Sequence, residues 1–186
     1  MDIGIVSIRY ARALIAYAVE QGAEDELYRE FLRLSYSFHK FPELRVTLDN
    51  PILTKREKFN LICTAANGDE GSSRVFIRFI RLVLRQHREA FLQFITLTFL
   101  DLYRKTKHIA VGYLITAVPI DKEREERIKK GAGDYLHAHM ELHTLIDPAI
   151  EGGYIFEVNG YRLDASVAKQ LKKVKQQFIE RNKRIV

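Results

Sequence analysis

The sequence predicts an α+β protein: an N-terminal bundle of about six helices over residues 1–106, followed by a small C-terminal α+β domain over residues 107–186. Three observations carry this. Apolar residues recur at helical spacing through the first hundred or so positions, as in Leu27, Phe31, Leu34 and Phe38. The stretch 108–118 is instead rich in β-branched and other apolar residues on both faces and ends at Pro119, the pattern of a buried strand. Asn159-Gly160, the favoured pair for a two-residue type I′ turn, then separates two short strand-like runs.

Residues 7–21 form an Ala-rich helix, residues 24–40 a second with the stripe named above, and residues 42–48 a short third. Asp49-Asn50-Pro51 breaks the chain, because the residue before proline is pushed out of helical angles. Thr54 and Glu57 are spaced as a capping box that starts the fourth helix, with Phe59, Ile62, Cys63 and Ala66 as its apolar stripe. After a polar loop at 67–72, two long helices cover 73–87 and 89–107. The domain boundary is placed near residues 104–108. Beyond it come the 108–118 strand, a charged helix at 121–137, strands at 140–146, 153–158 and 161–163, and a final helix from about Ala165 striped with Val167, Leu171, Val174 and Phe178. Asp164 or Ser166 can cap that helix, and Gly152-Gly153 sets a tight entry into the hairpin.

The 186 residues, 47% apolar with 4 prolines, suit a chain with a real core and exclude a disordered or collagen-like polymer. The single cysteine excludes an intramolecular disulfide or a cysteine zinc cluster and fits a reducing compartment. No run approaches the roughly 20 apolar residues that cross a bilayer, and Met1–Tyr10 has the pattern of neither a secretory nor a transit signal. Net charge is +6, and residues 166–186 hold Lys169, Lys172, Lys173, Lys175, Arg181, Lys183 and Arg184 against Glu180 alone. The excess therefore sits in the last helix and tail.

Residues with catalytic chemistry are not arranged for it. The phosphate-cradling loop, the GxSxG elbow and HExxH are all missing. His137, His139 and His143 are the sharpest metal candidate, but their alternation equally describes a solvated strand face, which is the reading adopted. Cys63, on an apolar stripe with no neighbouring His or basic pair, reads as a packing residue. More informative is the series Arg74, Arg78, Arg81, Arg85 and Arg88, which at about 100° per residue spans an arc of roughly 80°. Spacing alone favours a solvated face over a docking edge for an acidic or amphipathic partner. On the first helix Tyr10, Leu14 and Tyr17 form an apolar row beside small Ala11, Ala13, Ala16 and Ala18, so another helix can approach closely.

Several segments together resemble one family. "RYARALIAYA" at 9–18, "NPIL" at 50–53 followed by Lys58, "RLVLRQHREAFLQF" at 81–94, "ITAVPI" at 115–120 and "LIDPAIEGGYIFEVNGYRLDASVAKQL" at 145–171 are similar to the delta subunits of bacterial F-type ATP synthases, the oligomycin-sensitivity-conferral protein family. The likeness runs from the first helix almost to the C-terminus, and the Asp-Pro, Gly-Gly and Leu-Asp-Ala-Ser series is its most specific part. Ala165 stands where the family usually has Gly.

The resemblance implies a non-catalytic stator subunit without cofactor or metal, present in single copy and coupling proton transport to ATP synthesis. Its helical domain is expected to bind alpha-subunit N-terminal segments between the first and fifth helices, with Tyr10, Leu14, Arg81, Arg85 and Arg88 as contacts. Its C-terminal domain is expected to bind the end of the b-subunit stalk, around Gly152, Gly153, Asp164, Ser166 and Lys172. With no organellar presequence at the start, the expected place is the cytoplasmic face of a bacterial plasma membrane, peripheral and without membrane insertion. The alternative from charge alone is a nucleic-acid-binding or assembly factor using the arginine-striped and C-terminal basic helices, whose binding would fall steeply with salt. An enzyme using the histidines is a third class.

Overall fold

The structure is a computed structural model that describes residues 3–68 and 71–183. The chain divides into two compact units, Met1–Thr106 and Lys107–Val186.

Among its described residues the first unit holds six α-helices: α1 (Ile3–Glu20), α2 (Glu24–Lys40), α3 (Glu43–Asp49), α4 (Lys55–Asn67), α5 (Arg74–Arg85) and α6 (Leu92–Thr106). Its core is centred on Phe31 of α2, whose ring lies 5.4 Å from Phe76, 5.9 Å from Phe79 and 4.7 Å from Phe99. Edge-to-face and offset ring pairs at these separations add to the burial of four large side chains. The α2 stripe is buried as its spacing predicts; α1 packs along α6, and its buried residues are Ser7, Ala11, Leu14 and Ala18.

Local signals set the helix ends. Thr54 accepts from the Glu57 N–H at 3.3 Å and its own N–H donates to Glu57 at 2.8 Å, so the capping box is complete. The stripe of α4 is rotated from expectation: Lys58, Ile62 and Ala66 are buried, whereas Phe59 and Cys63 are half-buried. Lys58 turns inward because Glu89 supplies its counter-charge at 2.8 Å. The fifth helix stops at Arg85, short of the expected residue 87, since His87 takes a left-handed φ of 52°. A 3₁₀ turn, Glu89–Phe91, then leads into α6.

The second unit contains β1 (Ile109–Thr116), α7 (Lys122–Leu136), β2 (His139–Ile146), β3 (Tyr154–Val158), β4 (Tyr161–Asp164) and α8 (Val167–Lys183). The sheet order is β2-β1-β3-β4. β1 and β2 run parallel, joined by the α7 crossover, and β3 is antiparallel to both β1 and β4. Asn159 and Gly160 have φ of 50° and 82°, the positive pair that a type I′ hairpin requires. The expectation that β1 is buried on both faces is corrected: Ala110, Gly112, Leu114 and Thr116 are buried, whereas Tyr113 is exposed. Burial therefore alternates along β1, with the even-numbered residues facing the interior.

Candidate partner-docking surfaces

In the first unit, α1 and α5 flank a groove of about 760 Å³. Its apolar lining is Tyr10, Ala13, Leu14 and Tyr17 from α1 with Phe79 and Leu82 from α5, and Arg9, Arg78, Arg81 and Arg85 supply the charge. Among the described residues, no acidic side chain lines it. The two walls are bridged by side chains: Tyr10 meets Phe79 edge-on at 6.5 Å, and Arg78 Nη1 donates to Tyr17 Oη at 3.0 Å with its guanidinium 5.2 Å from the ring centre. The start of α5 is fixed by Ser73, whose hydroxyl accepts from the Phe76 N–H at 3.2 Å and donates to buried Glu30.

Not every expected contact residue reaches this groove. Tyr10, half-buried, stands on its wall, and Arg85 is an exposed lining residue. Leu14 is only 2% exposed, so it forms the floor and belongs to the core. Arg81 lines the groove but places its guanidinium 5.4 Å over Phe59 of α4, beside Lys55 and Arg56. Arg88 lies beyond the end of α5, over Phe91 at 6.0 Å, and is not among the lining residues. Its helical-wheel position loses meaning once His87 ends the helix. Tyr17 and Arg78, absent from the expected contacts, form the bridge; the Tyr10-Leu14-Tyr17 row and the arginine series were the signals that contained them.

In the second unit, four of the five nominated residues hold the fold. A Cβ on Gly153, at φ +74°, would sit 2.3 Å from the Ala165 carbonyl oxygen, so only glycine fits where the hairpin entry meets the start of α8. Gly152 takes the Val167 N–H on its carbonyl at 2.9 Å. Ser166, buried, accepts from the Lys169 N–H at 3.2 Å and donates its hydroxyl to Asp164 at 2.7 Å. Hydrogen bonds from Ser166 hold the Asp164 carboxyl below the usual range, so it stays ionised at the helix N-terminus, where negative charge is favoured. Lys172 is exposed on α8.

The stripe of α8 is not covered: Val167, Leu171, Val174 and Phe178 are all exposed, Phe178 at 63%. A row of this kind on a charged helix is available to a partner. Of the basic tail, residues 184–186 lie outside the described residues. His143 stacks on Tyr113 at 5.4 Å, and among the described residues no group of three or more metal-ligating side chains converges. Burial pushes the Cys63 thiol up, away from nucleophilic use. No helix among the described residues is long and apolar enough to cross a membrane.

The sequence pattern of the ATP synthase delta (OSCP) subunit family matches residues 6–178. The chain belongs to that family. Similar relatives include the ATP synthase subunits delta of Bacteroides fragilis and Bacteroides thetaiotaomicron, each 62% identical over the whole of both chains. That of Enterococcus faecalis is 28% identical over 97% of this chain and 99% of its own. A chain in a cryo-EM structure of the Toxoplasma gondii mitochondrial ATP synthase hexamer shares the fold, with a TM-score of 0.65 and 18% identity over 93% of this chain and 97% of the other. Family membership makes this chain a stator subunit of F-type ATP synthase, a membrane-bound complex. The nucleic-acid reading of the arginines gains no support from it.

Proposed function

We propose that this chain links the catalytic head of the synthase to its peripheral stalk, has no active site of its own, and takes its place through two docking faces. The α1–α5 groove receives the amphipathic N-terminal segment of an alpha subunit. The exposed stripe of α8, with Lys172 beside it, receives the end of the b-subunit stalk. One copy per complex, on the cytoplasmic face of a bacterial plasma membrane, would keep the head from turning with the rotor, so that proton-driven rotation changes the catalytic sites.

The observation that carries this reading is the groove itself, apolar along its floor and lined by four arginines with no acid among the described residues. A helix laid there buries its apolar face, and rim charge sets its orientation and on-rate. Steady anchoring under torque needs slow dissociation, which summed apolar contacts supply. The experiment is calorimetric titration of the full chain with a peptide of the alpha N-terminus. Leu82 lines the groove and is 46% exposed, so Leu82→Asp should fold normally and weaken binding by more than about tenfold. Unchanged affinity would remove the groove from the interface.

A further inference from the structure

The four arginines of the groove are not equivalent. Arg81 is drawn toward α4, over Phe59. Arg85 lines both the groove and the neighbouring concavity that contains Lys55 and Arg56. Arg78 alone of the α5 arginines is tied to α1, by its hydrogen bond to Tyr17 at 3.0 Å and by stacking 5.2 Å from that ring. One N–H is spent on the phenol, and the rest of the planar fork remains for a carboxylate, which it matches in bidentate geometry. Among the described residues Arg78 has no acidic partner and none lines the groove, so the fork is open to a carboxylate that docks there.

We propose that Arg78, held in place on Tyr17, is the specificity-determining residue of the groove: it selects an alpha-subunit N-terminal helix that brings an Asp or Glu to the Tyr17 end. This rests on the reading that the groove receives that segment. Arg78 is exposed yet fixed in advance, so little side-chain freedom is lost on binding and the charge pair can set the direction in which the helix lies. Arg81, committed to Phe59, contributes packing on the α4 side.

The test is titration of the full chain with the alpha N-terminal peptide and with versions in which each Asp or Glu is changed to its amide. Arg78→Gln should weaken binding by about tenfold, with a shallower salt dependence, while Arg81→Gln changes it by less than about threefold. One amide-substituted peptide should show the same loss as Arg78→Gln, and combining the two changes should add little more. Tyr17→Phe, which keeps the ring and removes the hydroxyl, should fall between unaltered chain and Arg78→Gln. Unaltered melting temperature certifies the fold of each variant. Equal losses for Arg78→Gln and Arg81→Gln, fully additive losses in the double change, or tight binding of a peptide stripped of carboxylates would overturn the proposal while leaving the groove as the docking site. Absence of binding by the unaltered chain would overturn the docking site and the proposal together.

Discussion

Glu30 of α2 reaches the first turn of α5, where its carboxylate accepts the Ser73 backbone N–H at 2.8 Å and the Ser73 hydroxyl at 2.5 Å. Asn67 donates to the same carboxylate at 2.7 Å and receives Arg33 at 2.6 Å. A buried acid is thereby satisfied by α4, by α5 and, one step removed, by a cation from its own helix. Its charge also faces the positive end of the α5 dipole, which favours it. One side chain in the core thus fixes the helix that forms a wall of the groove.

Glu30→Ala should cost about 3 kcal/mol of stability, because it strands the Ser73 N–H and Asn67 without their acceptor. Glu30→Gln keeps an acceptor and should cost less than half as much. Urea unfolding followed by helical circular dichroism measures both, and equal losses for the two variants would show that charge rather than hydrogen bonding holds the start of α5.

Gly153→Ala should destabilise the C-terminal unit by about 3 kcal/mol, combining a strained positive φ with a collision 2.3 Å from the Ala165 carbonyl. Gly160→Ala is the internal control. It has φ +82° but nothing within 4 Å of the added methyl, so about 1–2 kcal/mol is expected from backbone strain alone. Thermal unfolding of the two variants separates collision from strain, and a Gly160→Ala loss as large as that of Gly153→Ala would remove the collision from the account.

Helices and strands were legible because their signals are local: the α2 stripe, the Thr54–Glu57 box and the Asn159-Gly160 turn each lie within a few residues of what they determine. The groove was half legible. Periodicity put the arginines on one arc, but where each guanidinium goes depends on Phe59 and Tyr17, which belong to other helices. Arg88 falls off that arc because a single left-handed histidine ends the helix before it. Spacing identified the apolar row of α8 but could not tell whether a sheet or a partner covers it, and periodicity alone would have buried it. Gly152, Gly153, Asp164 and Ser166 are distinctive in sequence because the turn into α8 needs them, which does not make them contacts.

The Lys58–Glu89 pair predicts an acid-side stability profile. Burial alone would raise the Glu89 carboxyl, but the Lys58 ammonium at 2.8 Å, with a backbone hydrogen bond and the nearby His87, together hold it below its ordinary value. A carboxyl lowered on folding stabilises the folded state above its unfolded pKa, about 4.3, and that contribution is lost as pH falls through the lower folded value. Glu89→Gln should therefore flatten the fall of melting temperature between about pH 5 and pH 3. Lys58→Met leaves the carboxylate buried and unpaired, so its pKa should rise and its contribution should change sign, with protonation now stabilising. Identical profiles for all three proteins would mean that the pair does not govern acid unfolding.

The uncovered stripe of α8 separates folding from assembly. Leu171 is 56% exposed, so Leu171→Ser removes little buried surface and should change stability by no more than about 0.5 kcal/mol. The same change deletes an anchor from the middle of the apolar row, and co-purification of the b-subunit with the full chain should fall by more than about tenfold. Changing Lys172 to Gln should act differently, weakening association mainly at low salt, because an exposed charge steers encounter and is screened at high ionic strength. If Leu171→Ser destabilised the chain as a core truncation does, by about 3 kcal/mol, the stripe would be packed within this chain in solution rather than held open for a partner. If it did neither, α8 would lie outside the stalk interface and the b-subunit would have to engage another face of the second unit.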